Sequence, residues 1–289
     1  MRRVLIAGCG YVGAATADLF HDAGWGVEGW TSSPASAAEQ KTKPYPVRAV
    51  DLTVRAEVVA AAERFDAVIQ CASSRGGNAD DYRRIYLQAA RTLRTAFPEA
   101  LLLFASSTSV YAQRGGEWVT EQSAAEPERA TARVLRETEE FVLESGGIVA
   151  RLAGIYGPGR SALLRRFLAG LATIDPGPER FINQVHRDDV ASAFFFLTEK
   201  GLAKSLPGAS AERLIFNVTD GHPLTQKECY QWLAARLQLG LPPVAGAPAA
   251  RRRGDSNKRV SSAKLQALGW SPRYPTFQSA MAESILPAW

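Results

Sequence analysis

Three glycines near the start of the chain, Gly8, Gly10 and Gly13, carry the clearest chemical signal among its 289 residues. They follow a short apolar run, Val4 to Ala7, and an Ala-rich helical pattern continues from Ala14 to Ala23. A strand, a Gly-x-Gly-x-x-Gly turn and a helix, in that order, can cradle a diphosphate. The first glycine permits the tight turn, the second lets backbone come close to the phosphates, and the third lets helix pack on strand. The anion then meets amides at a helix N-terminus, where the macrodipole also favours negative charge. Gly8, Gly10, Tyr11, Val12 and Gly13 are thus expected to hold a dinucleotide; a plain structural turn is the alternative.

Other reactive side chains are scattered. Cys9, Cys71 and Cys229 form no CxxC pair, and with only His21, His186 and His222 besides, no metal-ligand spacing emerges. Isolated thiols fit a reducing compartment, so the expected location is the cytoplasm. Ser106 to Ser109 could cap a strand end, Asp188 and Asp189 could cap a helix, and His186 reads more readily as a structural histidine than as a catalyst. Net charge is +5, yet Arg251-Arg252-Arg253 is the one basic run, with no aromatic interleaving. A solvated loop comes first for it, a substrate anion contact second and nucleic acid last.

Hydrophobic residues at 46% and charged residues at 22% suit a soluble globular chain, and no apolar stretch approaches a membrane span. Strand patterns at Val4 to Ala7, Gly26 to Thr31, Val47 to Leu52, Phe65 to Ala72, Ala100 to Ser106 and Ile148 to Leu152 alternate with helical ones. The helical patterns include Arg55 to Arg64, Tyr82 to Ala96 and Glu128 to Ser145. This predicts an α/β fold, a Rossmann-type doubly wound parallel sheet with helices on both faces. Beyond Gly157 the alternation fades into helices near Leu163 to Leu171, Asp188 to Lys200 and Thr225 to Leu239, a strand at Arg213 to Val218, and a Pro-rich loop at Leu241 to Pro248. Residues 1–157, with 186–218 returning to them, are expected to form the nucleotide domain; 158–185 and 219–289 form a smaller substrate lobe.

Several stretches together resemble the extended short-chain dehydrogenase/reductase superfamily, the NAD(P)-dependent sugar epimerases and dehydratases. They are the glycine turn; Asp51-Leu52; Ser106-Ser107-Thr108-Ser109-Val110-Tyr111; and Arg151-Leu152-Ala153-Gly154-Ile155-Tyr156-Gly157-Pro158-Gly159-Arg160. Ile182 to Val190, Phe216-Asn217-Val218, Asn257-Lys258-Arg259-Val260 and Leu268-Gly269-Trp270 complete the series in order. The resemblance implies that Asp51 and Leu52 lie near the adenine, that Cys71, Ala72 and Ser73 line the dinucleotide, and that Ser107, with Thr108 beside it, meets the reacting oxygen. It also implies a small polar or nucleotide-sugar substrate and allows a homodimer; Arg160, Arg165, Arg166 and Arg251 to Arg253 are candidate anion contacts for such a substrate.

One departure stands out. The family's proton transfer uses a Tyr and a Lys four residues later, the Lys also holding the ribose. Counting from Glu137 puts Arg129 at the Tyr position and Arg133 at the Lys position, and no tyrosine occurs between Tyr111 and Tyr156. Arg133 could hold ribose hydroxyls, but arginine cannot donate the proton. Tyr111, Tyr156, His186 and Cys71 are the candidates to replace the Tyr. The chain therefore resembles the family's atypical branch, and a nucleotide-binding sensor or scaffold is the second functional reading. At the end of the second strand Thr31, Ser32 and Ser33 stand where an NAD enzyme usually has an acid, which favours NADP over NAD; Lys41, Lys43 or Arg48 would have to reach a 2′-phosphate.

Overall fold

Val4, Leu5, Ile6 and Ala7 are all fully buried. Side chains alternate across a strand, so burial of every one requires cover on both faces of the sheet. The computed structural model, which describes residues 1–74, 76–206, 214–246 and 256–289, has that architecture. A seven-stranded sheet contains β1 (Arg3–Ala7), β2 (Gly26–Thr31), β3 (Val47–Ala49), β4 (Ala67–Gln70), β5 (Leu101–Ser107), β6 (Ile148–Leu152) and β7 (Ile215–Val218). Their order is β7-β6-β5-β4-β1-β2-β3, every pairing parallel. Leu5, Val68, Leu102 and Phe104 face one apolar layer with Leu93, Phe97 and Val142. Val4, Ile6, Ile69 and Leu103 face the other with Phe20, Phe194 and Leu197. The chain is a Rossmann-type α/β protein.

The strand order reverses between β1 and β4. In such sheets ligands bind outside the carboxyl ends of the strands at that reversal. Gly8 to Gly13 leave β1 there, and Cys71 to Ser73 leave β4 beside them. The first helix, Tyr11–Asp22, packs against the helix Arg187–Leu202, which returns the chain to the sheet after the excursion beyond Gly157. A third apolar cluster, including Tyr156, Leu164, Phe167, Tyr230, Phe277 and Met281, forms the centre of the smaller lobe.

The regular elements are shorter than their patterns. β3 stops at Ala49, after which the Asp51 carboxylate accepts the Thr53 amide and turns the backbone, and the next helix runs only Arg55–Ala60. The helical segment after β4 starts earlier, at Ala79, where Asn78 and Asp81 form a capping box. Arg213, the expected first residue of the last sheet strand, Arg251 to Arg253, and Pro248 at the end of the proline-rich loop lie outside the described residues. Among the described residues no helix is long and apolar enough to cross a membrane.

Candidate functional site

Gly8 has φ +112°, a conformation L side chains rarely adopt, and a Cβ there would lie 2.2 Å from the Ala72 nitrogen. A Cβ at Gly13 would lie 2.2 Å from the Gly8 carbonyl oxygen. Both glycines are therefore demanded by the protein's own packing. Gly10 is different: a Cβ there would meet nothing within 4 Å, and the residue is exposed. Gly10 caps the first helix without any side-chain hydrogen bond, and no acidic residue occupies that helix's first turn. The turn thus offers an open, uncapped helix N-terminus with bare backbone facing outward, a geometry that fits a diphosphate.

Tyr11 borders this opening. Its hydroxyl donates to the Pro158 carbonyl at 3.0 Å, and the Arg160 and Arg187 guanidiniums lie 5.2 and 5.0 Å from the ring centre. Arg160, expected as a substrate contact, consequently stands beside the glycine turn. Arg165 and Arg166 are exposed on the helix Ala162–Leu168, with Arg166 donating to the Leu171 carbonyl.

Past the ends of β2 and β3 a cavity of about 460 Å³ is lined by residues that include Ser32, Arg48, Val50, Asp51 and Glu57. Asp51 Oδ1 accepts from both the amide and hydroxyl of Thr53 at 2.8 Å. Leu52 is buried. Thr31 directs its hydroxyl to the Ser33 carbonyl, and Ser33 caps the short helix Pro34–Ala38. Of the three hydroxyls expected near the ribose, Ser32 is the exposed one that lines this cavity. Glu28 is buried inside β2, accepting from Trp30 Nε1 at 2.7 Å and Arg48 at 3.1 Å.

At the end of β5, Ser107 is half-buried and its hydroxyl oxygen accepts the Ser109 amide at 3.1 Å, while Thr108 is buried. The neighbouring Ser106 enters a buried polar network. It donates to Glu139 at 2.6 Å, and Arg151 grips the same carboxylate bidentately at 3.0 and 2.7 Å. Arg151 also donates to the Tyr111 hydroxyl at 2.9 Å, and Tyr111 donates to Asn217 at 2.9 Å. Every polar end in this chain of contacts is answered by another.

That network reassigns the helix Ala130–Glu144. The acid facing the sheet is Glu139; Glu137 lies at the surface in an ion pair with Arg83. Counting back from Glu139 puts Thr131 and Leu135 where the count from Glu137 puts Arg129 and Arg133. Arg133 is exposed, its guanidinium donates to the Glu128 carbonyl at 2.5 Å, and among the described residues no hydrogen bond or ion pair joins it to Ser107. The structure brings the glycine turn, Cys71 and Ala72 together, since the Cys71 thiol donates to the Gly8 carbonyl at 3.3 Å and a Gly8 Cβ would strike Ala72. Ser73 is exposed in the loop that follows.

The four candidates to replace the missing tyrosine are otherwise engaged or held from titrating. Burial raises the Tyr111 hydroxyl despite its arginine contact. Tyr156 is buried in the smaller lobe, its phenol raised by desolvation and then by Asp220 and Asp189. Burial raises the Cys71 thiol. His186 is fully buried, and its Nδ1 accepts the Asp188 amide at 3.2 Å as the cap of the helix Arg187–Leu202. Burial lowers it to about 4, so it is neutral near pH 7 and Nε2 carries the hydrogen toward Ser284, 3.1 Å away.

Asp220 gives a test of this packing. Burial pushes its carboxyl up to about 7, and Oδ1 accepts the His222 amide at 3.0 Å. The folded pKa exceeds the unfolded one, so Asp220 favours the folded state at acid pH and loses that contribution as pH rises through 7. Asp220→Asn keeps an acceptor for His222 without a charge. Its melting temperature is expected to exceed the parent's at pH 8 and to approach it near pH 5; equal differences at both pH values would contradict the assignment.

The sheet order and the glycine turn define a class, the Rossmann-type α/β proteins. Residues 4–206 match the family model described as NAD dependent epimerase/dehydratase family, and the chain belongs to that family. It is 30% identical over 292 residues to Protein YeeZ of Escherichia coli strain K12, covering 95% of this chain and 97% of that protein. A Methylobacillus flagellatus structure taken for an NAD-dependent epimerase/dehydratase aligns at 25% identity and TM-score 0.79, over 99% of this chain and 98% of that one. The fold also matches the Thermus thermophilus UDP-glucose 4-epimerase in complex with NAD, at 22% identity and TM-score 0.76, over 97% of this chain and 96% of that one.

Sequence reasoning missed three short pairings outside the main sheet. Gly154–Tyr156 pairs with Gln184–His186, Phe181–Ile182 with Leu224–Thr225, and Trp118–Val119 with Arg259–Val260. Each is two or three residues long, too short to show a period.

Proposed function

We propose that the protein is a dinucleotide-dependent enzyme of the epimerase/dehydratase type acting on a small polar substrate, a nucleotide sugar being the class to try first. The observation that carries this reading is the contrast among the three glycines: two are filled against by the protein itself, and Gly10 faces outward over an uncapped helix N-terminus. Among solved structures of this fold, NAD accompanies UDP-glucose in MoeE5 and is bound in the Thermus epimerase.

In this reading the amides of Tyr11 and Val12 hold the diphosphate, which the bare Gly10 lets approach while its own amide is bonded to the Gly8 carbonyl at 2.8 Å; Asp51 and Ser32 face the adenosine, and Ser107 binds the substrate's reacting oxygen. The dinucleotide supplies hydride acceptance or donation. Ser107 and the polar network behind it orient the substrate, and exclusion of water beneath the smaller lobe protects the exchange. For the 2′ position we favour NADP over NAD, because no acid ends β2 and Arg48 lines the same cavity as Ser32.

Mass spectrometry of nucleotides released from the purified protein, followed by titration with NADPH and NADH, tests the first half. Tighter binding of NADPH is expected; failure to bind either would overturn the reading. Turnover of carbonyl and UDP-sugar substrates, with Ser107→Ala lowering kcat, tests the second. A sensor that binds dinucleotide without catalysis is the alternative, favoured by the buried Leu135 on the helix that carries the family's Tyr and Lys. Tight binding with no turnover, and a dinucleotide-dependent change in association state, would select it.

A further inference from the structure

The loop following Ser107 is pinned by a segment from far along the chain. Asn257 donates its amide to the Gln113 carbonyl at 2.8 Å, and Arg259 donates its amide to the Glu117 carbonyl at 2.8 Å. On its other side the same segment meets the residues before Gln184. Asn257 Oδ1 accepts the Phe181 amide at 3.0 Å, Asn183 Nδ2 donates to the Lys258 carbonyl at 2.9 Å, and Arg180 donates to the Ser256 carbonyl. Residues 256–260 therefore run as a seam between the segments 113–117 and 180–183, and Lys258 lies at the middle of it.

Lys258 is only 6% exposed. Its Nζ donates to the Tyr111 carbonyl at 2.8 Å. Among the described residues this is the one acceptor it has, and no carboxylate comes within the 4.0 Å of an ion pair. An ammonium has three donors, and buried charges in folded proteins are normally paired. The surroundings add to the imbalance. Burial and then the Arg180 guanidinium draw its pKa down to about 8, with Glu117 acting the other way. Arg259, next in sequence, is likewise bonded to a carbonyl, that of Gly116 at 2.7 Å, and lies over the Phe181 and Trp118 rings.

The position matters as much as the charge. Tyr111 follows the single tight turn Thr108–Val110 that begins at Ser107. At roughly 2 Å of rise per residue, Ser107 and Tyr111 are on the order of 8 Å apart. That is the length of a small substrate.

We propose that Lys258 is an anion-binding residue beside the loop that leaves Ser107, where it takes a carboxylate or phosphate group carried by the substrate. The inference rests on the enzymatic reading above and narrows it: the substrate bears an acid group close to the oxygen that Ser107 meets. The negative charge supplies a counter-ion that the described residues do not, and Lys258 offers it two N–H donors beyond the one given to Tyr111. Charge-assisted bonds of this kind are the stronger class.

Calorimetric titration of the full chain with sodium phosphate and with malonate, at constant ionic strength set with chloride, tests this. Saturable binding of one or both probes is expected. The tighter of the two tells whether the group is a phosphate or a carboxylate. Lys258→Met should weaken that probe by about tenfold or more, and Lys258→Arg, which keeps the charge, should retain most of it. No saturable binding to the wild type, or equal affinities for the wild type and Lys258→Met, would overturn the proposal. If Lys258→Met does not fold, the wild-type protein decides alone: phosphate or malonate must shift the Lys258 Nζ signal in a lysine-labelled NMR spectrum, and an unmoved signal counts as failure. NADPH binding, measured on the same preparations, separates the two levels. Dinucleotide binding without anion binding sinks this inference and leaves the proposed function standing; anion binding without dinucleotide binding overturns the proposed function, and with it the assignment of the anion to that enzyme's substrate.

Discussion

Gly10→Ala is expected to weaken dinucleotide binding on the order of 100-fold, about 2.8 kcal/mol, while changing stability by less than about 1 kcal/mol. The methyl group meets no protein atom within 4 Å, so the fold accepts it; it fills the space in which a diphosphate would approach the backbone. Gly8→Ala has the opposite signature. Its φ of +112° and its 2.2 Å contact with the Ala72 nitrogen combine backbone strain with overpacking. These cost about 2–5 kcal/mol together. Melting curves and NADPH titrations of the two variants, side by side, separate a ligand-shaped glycine from a packing-shaped one. Unchanged affinity in Gly10→Ala would remove the diphosphate from this turn.

Arg151→Met is expected to be the most destabilising substitution in the sheet. It strips the bidentate partner from Glu139, a carboxylate that is fully buried, and removes the donor to the Tyr111 hydroxyl. Breaking one side of a buried pair costs about 3–5 kcal/mol. In a chain of this size that corresponds to a fall in melting temperature of roughly 10 °C. Arg136, which also reaches Glu139, keeps the loss from being greater. Arg151→Met combined with Glu139→Met should recover part of the deficit, because no orphaned charge is left. A single-variant loss under about 1 kcal/mol in urea unfolding would show that the network is not a buried ion pair in effect.

The parts of this molecule that were legible in the sequence are those set by neighbours along the chain. The strand-turn-helix at Val4 to Ala23, the parallel alternation that follows it, and the cap at Ser33 all depend on residues a few places apart. The parts that were not legible depend on distant partners. Glu137 and Glu139 stand two apart on one helix and look alike in sequence. Only the phase of that helix against β6 makes one a surface ion pair with Arg83 and the other the buried partner of Arg151. The readings of Tyr111, Tyr156 and His186 as stand-ins for a missing tyrosine meet the same difficulty, because what occupies Tyr111 and His186 is Asn217 or Ser284, about a hundred positions away. Lys258 was visible as part of a motif, but its acceptor is a backbone carbonyl 147 residues earlier, and carbonyls have no sequence signature.

The parallel pairing of Trp118–Val119 with Arg259–Val260 also has a consequence for how the molecule is made. As the chain leaves the ribosome, all seven strands of the main sheet are synthesised before Arg259 exists, so the sheet can collapse early. The loop after Ser107 must then wait, unclasped, for its late partner. Closure of that loop is thereby tied to a late stage of translation, and a nascent chain stalled ahead of Ser256 would hold a folded sheet with the loop after Ser107 still adrift.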